Sequence, residues 1–186
     1  MKSADLIEWF KKKHSYIIDI YLFISTGIYI AWQTYKTYQA GNLNNIEILF
    51  AAHNAVLIFV FLFRKKEYSL NKNIFAQIVA LTAFFSGLFF MGSEKNGGQS
   101  LQMISEIIIA ISMILGIFTI FNLGKSFGIF IALREVKTNG LYSLIRHPMY
   151  MTDILFRIGY LSGHFNIKIL LLSLVSTAAY IYRAML

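Results

Sequence analysis

Apolar residues along this chain fall into long runs separated by short polar stretches. A bilayer core about 30 Å thick takes roughly 17–25 residues to cross as a helix. By that measure the pattern predicts spans over residues 16–32, 46–63, 74–91, 101–123, 148–162 and 165–182. The breaks carry residues that stop or start helices. Lys11-Lys12-Lys13-His14 precedes the first run, and Arg64-Lys65-Lys66 ends the second. The third stops before Gly92-Ser93-Glu94-Lys95-Asn96-Gly97-Gly98, and Gly124-Lys125 closes the fourth. Pro148 opens the fifth, because its fixed φ suits a first helical turn and its missing N–H has no partner there to lose. The expected fold is all-α: a polytopic membrane helical bundle of about six transmembrane helices ending in a helical hairpin. It forms a single membrane domain over 1–186, with four spans in 1–123 and a connection plus terminal hairpin in 124–186. Within the fifth span Gly159 and Gly163 form a small-xxx-small pair, a pattern that can make a helix-packing face.

Composition supports this class. Hydrophobic residues make up 57% of the 186 and charged residues only 14%, against about 25% charged in soluble domains. A soluble globular protein and a disordered chain are both excluded on that ground. With no cysteine, a disulfide framework, a thiolate metal site and a cysteine nucleophile are excluded too. The first run lacks a small-residue cleavage site and is followed by polar Gln33-Thr34-Tyr35-Lys36, so it does not read as a signal peptide.

The net charge of +8 follows the loops. Lys2, Lys11, Lys12 and Lys13 lie at the N-terminus. Arg64, Lys65, Lys66 and Lys72 lie between the second and third spans, and Lys125, Arg134, Lys137 and Arg146 between the fourth and fifth; Arg183 is near the C-terminal end. The alternate connections hold only Lys36, Lys95 and Lys168. The positive-inside rule then makes both termini cytoplasmic. Basic loops beside an anionic leaflet account for the charge without a nucleic-acid partner. Trp9 and Phe10 beside the three lysines read as an interfacial segment.

Polar residues inside apolar runs are candidates for packing or chemistry. Asp153 and Arg157 are four apart, on one face of the fifth span, and are read either as an internal ion pair or as a headgroup site for a lipid substrate. Glu106 fits the non-cytoplasmic interface. His53 and Asn54, mid-way along the second span, are expected to make an interhelical hydrogen bond. Neither i+3 nor i+4 from His53 supplies a second ligand, so no metal site is expected. Asp19 and Glu47 lie near span ends and can reach water.

The most informative stretch runs from Leu123-Gly124-Lys125-Ser126-Phe127 to Arg146-His147-Pro148-Met149-Tyr150. Gly140 offers a turn at low steric cost. Arg146 and His147 precede the free N–H groups and positive dipole end of the fifth helix, a place suited to a carboxylate or phosphate. The pattern Gly140-x-Tyr142-x-x-x-Arg146-His147-Pro148-x-Tyr150 resembles that of the isoprenylcysteine carboxyl methyltransferase and phospholipid methyltransferase family of membrane enzymes. The resemblance covers about Leu123 to Arg183.

It implies an S-adenosylmethionine-dependent methyltransferase acting on a lipophilic or prenylated acceptor, either an isoprenylcysteine-type carboxylate or a lipid amine, at the cytoplasmic face. His147 and Tyr142 would hold polar parts of the cofactor, and Pro148 and Tyr150 its adenosyl side. Val136, Lys137 and Gly140 would also belong to the cofactor-binding set, the first two mainly through backbone contacts. Arg146 and Arg183 would be the catalytic cations. The reaction is in-line displacement at the sulfonium methyl; alignment alone can supply about 7–11 kcal/mol of its acceleration. The family pattern continues past an Arg like Arg183 into an acidic run, whereas this sequence stops at Leu186, which reads as truncation. Met151-Thr152 and Lys137 also depart from the pattern. The alternatives are a non-catalytic membrane homologue or assembly partner and a small transporter; against the last, the chain shows no internal repeat.

Overall fold

The computed structural model describes residues 3–39, 41, 45–63, 65, 68–90, 96 and 98–185, with side chains from Ile20 onward other than that of Leu70. The six described helices are α1 (Ser3–Gln39), α2 (Asn45–Leu62), α3 (Ile74–Ser86), α4 (Gln99–Leu123), α5 (Pro148–Gly163) and α6 (Ile167–Met185). Each contains or closely matches one predicted run. Three of them, α2, α4 and α6, are long and apolar enough to cross a membrane. A 3-10 turn, Gly87–Phe90, lengthens α3. The N-terminal stretch read as interfacial is continuous with the first predicted run in α1, at 37 residues about 55 Å long. The side chains of Trp9, Phe10, the three lysines and Asp19 lie outside the described residues, as do Arg64, Lys66 and Lys95.

Small polar residues share the interior with the apolar core, while large apolar residues face outward. Ser86, Ser105, Ser112, Thr119, Ser173 and Ser176 are buried, while Ile24, Ile28, Ile107, Ile111, Ile114, Phe118, Leu171 and Leu174 face outward. Small buried faces with apolar exteriors are what helix association in lipid favours. The closest pair is α4 with α5, and Gly159 and Gly163 are the reason. A Cβ at Gly159 would lie 3.1 Å from the Ile109 main-chain nitrogen, and one at Gly163 would collide with Ser105. α2 packs on α4, α1 on α2 and α3 on α6. An aromatic core joins α1 and α2, where Phe23 stacks on Phe61 with centroids 3.8 Å apart; Phe84 and Phe127 close around it.

The two basic connections meet at one end of this bundle. Strand β1 (Ser69–Leu70) pairs antiparallel with β2 (Ala132–Leu133), Ser69 opposite Leu133. Gln77 of α3 clamps the junction: its Nε2 donates to Asn71 O at 2.8 Å and to Ile131 O at 2.9 Å, and its Oε1 accepts from Ile131 N at 2.9 Å. Asn73 caps α3 by accepting from Ala76 N. At the other end Asn96 N donates to Gly163 O at 2.9 Å, joining the alternate connections. Two connections of each set therefore lie together in three dimensions.

Candidate functional site

The connection from α4 to α5 is folded by two glycines. Gly124 (φ 49°) turns the chain out of α4, and Gly140 (φ 61°) turns it back. The Asn122 side chain sits where a Cβ of residue 140 would be, so both backbone angle and space demand glycine there. A 3-10 turn, Gly140–Ser143, then presents Tyr142, and Pro148 starts α5 at its first position.

Between this connection and the helices lies a cavity of about 550 Å³, within the ~300–1,000 Å³ range of small-molecule sites. Val136, Lys137, Tyr142, Arg146, His147, Tyr150, Asp153, Arg157 and Arg183 all line it. Gly140 and Pro148 do not: the first shapes the turn, and the second is buried in the start of α5. Pro148 stands at the first position of α5, between the lining residues His147 and Met149.

The corner at the start of α5 is aromatic and cationic. The imidazole of His147 stacks on Tyr150 at 5.2 Å with an interplanar angle of 7°. Tyr150 in turn lies 5.1 Å from the Tyr180 ring and under the Arg183 guanidinium at 5.5 Å. Arg183 donates from Nη2 to Ile129 O at 3.1 Å. Burial, and then the neighbouring Arg146, hold His147 below its ordinary pKa, with the Ala184 carbonyl offsetting part of the shift. Burial, followed by Tyr150, raises that of Tyr142, so its hydroxyl is a donor at all ordinary pH. At the mouth Glu135 bridges Lys65 and Lys137, at 3.2 Å each. Hydrogen bonds from Lys65 and then Lys137 keep its carboxyl below the usual range.

Three buried polar atoms at this cavity have no hydrogen-bond partner among the described residues: His147 Nε2, Arg183 Nε and Ser126 Oγ. Most buried polar groups are hydrogen-bonded. Their gathering here fits a site for a polar ligand. No family model, curated protein or solved structure matches the chain.

The deeper wall departs from expectation in two places. One of the two readings of Arg157 was an ion pair with the Asp153 carboxylate. Instead its Nη1 donates to the Asp153 main-chain carbonyl at 2.7 Å, its Nη2 to Ser86 Oγ at 2.8 Å and its Nε to Ser176 Oγ. The rings of Tyr180 (4.9 Å) and Phe90 (5.6 Å) complete its shell. Helical spacing places two side chains on one face, but it does not say that neighbouring serines will offer nearer acceptors. His53 and Asn54 were expected to bond across helices. Asn54 Nδ2 donates back to Phe50 O in its own helix at 2.8 Å, and His53 faces the cavity. Glu106, half-buried near the start of α4, is not part of the cavity wall.

Thr26, Ser112, Ser126 and Arg134 also line the cavity and were not singled out as site residues. One signal existed for Ser112: it recurs with Ser105 and Thr119 every seven residues, a small polar stripe that α4 turns inward. Arg134 had none, because its place depends on Gly128, whose missing side chain leaves room for the guanidinium.

Proposed function

We propose that this chain is a multi-pass integral membrane protein of six spans with both termini cytoplasmic, and that it transfers a methyl group from S-adenosylmethionine to a lipophilic acceptor at the cytoplasmic side. The reading rests first on the Gly140 to Tyr150 pattern, which resembles that of the isoprenylcysteine carboxyl methyltransferase and phospholipid methyltransferase family. The observation that carries it further is the convergence of Tyr142, Arg146, His147, Tyr150 and Arg183 on one cavity with unpartnered buried polar atoms.

The residues present fit this cofactor. His147 Nε2 and Arg183 Nε are free to bond its polar groups, the Tyr142 hydroxyl is a donor, and the Tyr150 face can take a flat ring. Arg146 and Arg183 supply positive charge for a carboxylate, and Val136 and Lys137 bring main-chain groups to the mouth. When bound, S-adenosylmethionine supplies a methyl group activated by the sulfonium charge. The chain's own part is to align the acceptor with that methyl and to exclude water. The apolar inner wall, with Phe50, Leu57, Phe84 and Met113, suits a lipid tail.

Calorimetric titration of S-adenosylmethionine into the purified protein tests the proposal. Wild type binds, and His147→Ala weakens binding at least tenfold, about 1.4 kcal/mol. Equal affinities would remove His147 from the site, and no binding by wild type would overturn the reading.

A further inference from the structure

His53 plays no part in the corner just described. It sits half-way along α2, at the inner end of the cavity. Its imidazole occupies a notch cut by Gly116 of α4: a Cβ there would come within 2.8 Å of His53 Nε2 and 3.8 Å of Thr152 Oγ1. No protein group among the described residues hydrogen-bonds either ring nitrogen. Asp153 of α5 is near enough to act on the ring electrostatically. Arg157 of α5 and Tyr180 of α6 are the other ionisable side chains at this depth. The first is committed to Ser86, Ser176 and the Asp153 carbonyl, and the second donates to Ala83 O at 3.1 Å with the Asp153 carboxylate also against its hydroxyl. Among the described residues, α1, α3 and α4 bring no titratable group to this part of the wall.

A half-buried imidazole that faces a cavity without a protein hydrogen bond among the described residues calls for a role. The role must suit a base with a carboxylate beside it and open space before it. We propose that His53 takes the proton of the acceptor, and that the acceptor is therefore an amine or hydroxyl on a lipid rather than a carboxylate; this rests on the methyltransferase reading above. A carboxylate attacks with a lone pair it already has. An ammonium or hydroxyl must first lose a proton, or lose it as it attacks. In the step, the acceptor's N–C or O–C bond forms while the methyl–sulfur bond breaks, and that electron pair stays on sulfur. The acceptor's proton passes to a ring nitrogen of His53, and Asp153 balances the new charge.

The test uses the full chain in lipid nanodiscs with matched single-tail lipids ending in an amine, a hydroxyl or a carboxylate. Wild type, His53→Gln and Gly116→Ala are compared, the last pressing a methyl against the ring. Cofactor affinity is measured separately for each. The amine or the hydroxyl lipid is expected to be methylated, the two arms showing which. His53→Gln should lower kcat about 100-fold, in the range usual for a general base, with both KM values within about threefold. It should also flatten the acid limb of the pH–rate profile, and Gly116→Ala should do the same in part. Without cofactor, ring-labelled histidine NMR should show one imidazole responding to the amine or hydroxyl lipid but not to the carboxylate, and that response should vanish in His53→Gln. Unchanged turnover in His53→Gln with cofactor binding intact would overturn this proposal alone. Methylation of the carboxylate lipid only, or an imidazole spectrum blind to every lipid, would overturn it as well. A wild type that fails to bind cofactor would defeat the methyltransferase reading and this proposal together.

Discussion

The Ser105 hydroxyl of α4 donates a 2.7 Å hydrogen bond to the main-chain carbonyl of Gly159 in α5. The bond is possible because residue 159 has no side chain to hold the helices apart. A Cβ there would meet Ile108 Cγ2 at 2.9 Å and the Ile109 nitrogen at 3.1 Å. Gly159→Ala should therefore destabilise the protein by about 1–3 kcal/mol through overpacking, outweighing the gain of up to ~1 kcal/mol in helix propensity. Gly87→Ala, whose Cβ would meet nothing within 4 Å, is the control. Thermal melting in detergent compares them, and equal melting points would refute the close packing.

Arg157 gives the second prediction. Its guanidinium holds the Asp153 carbonyl, not the carboxylate. Arg157→Met should cost about 2–3 kcal/mol, the range of a hydrogen-bonded charged group, and cofactor affinity should stay within about threefold. Asp153→Asn leaves the carbonyl in place and should change stability little. The double variant should melt with Arg157→Met, showing no coupling. Recovery of stability in the double variant would restore the ion pair.

The third concerns pH. Burial and Arg146 lower the His147 pKa below its ordinary 6.5. Above pH 6.5 the ring is neutral in folded and unfolded chains alike, and the residue adds no pH dependence. As pH falls through 6.5 towards the lower folded value, the unfolded chain takes the proton first, and stability drops. Wild type should lose melting temperature between pH 6.5 and 5 more steeply than His147→Gln. S-adenosylmethionine affinity should be flat from pH 7 to 8 and weaken towards pH 5.5 in wild type alone. Parallel curves for the two proteins would show that the ring does not titrate in this window.

Helix positions were legible because apolar run length and glycine or proline breaks are local properties. Gly124, Gly140 and Pro148 acted at the positions the sequence marked for them. The Gly159 and Gly163 pair was legible as a pattern, but its partner on α4 was not, because nothing in the α5 sequence names Ser105. The corner around His147 was legible through a resemblance rather than through periodicity. The inner end was not. His53 looks like any mid-span polar residue until Gly116 is seen to open a notch for it. Arg157 looks like half of an ion pair until Ser86, 71 residues away in sequence, is seen to lie within 2.8 Å.

The last prediction concerns which end of the bundle faces which side. Lys65 N donates to Lys125 O at 2.7 Å, so these two connections share one end. Asn96 bonds to Gly163 at the other, with the 25 residues of α4 between, about 37 Å of helix. The weak link is α3. Its 13 α-helical residues give about 20 Å, and the four of its 3-10 turn add about 8 Å. The total, about 28 Å, falls just short of a 30 Å core. The chain has no cysteine, so single cysteines can be introduced without background. Lys65→Cys and Lys125→Cys should label only from the cytoplasmic side, and Lys95→Cys and Lys168→Cys only from the opposite one. Labelling of residues 95 and 125 from the same side would mean that α4 does not cross, and the six-span arrangement would fall with it. Labelling of 65 and 95 from the same side would place the failure in α3.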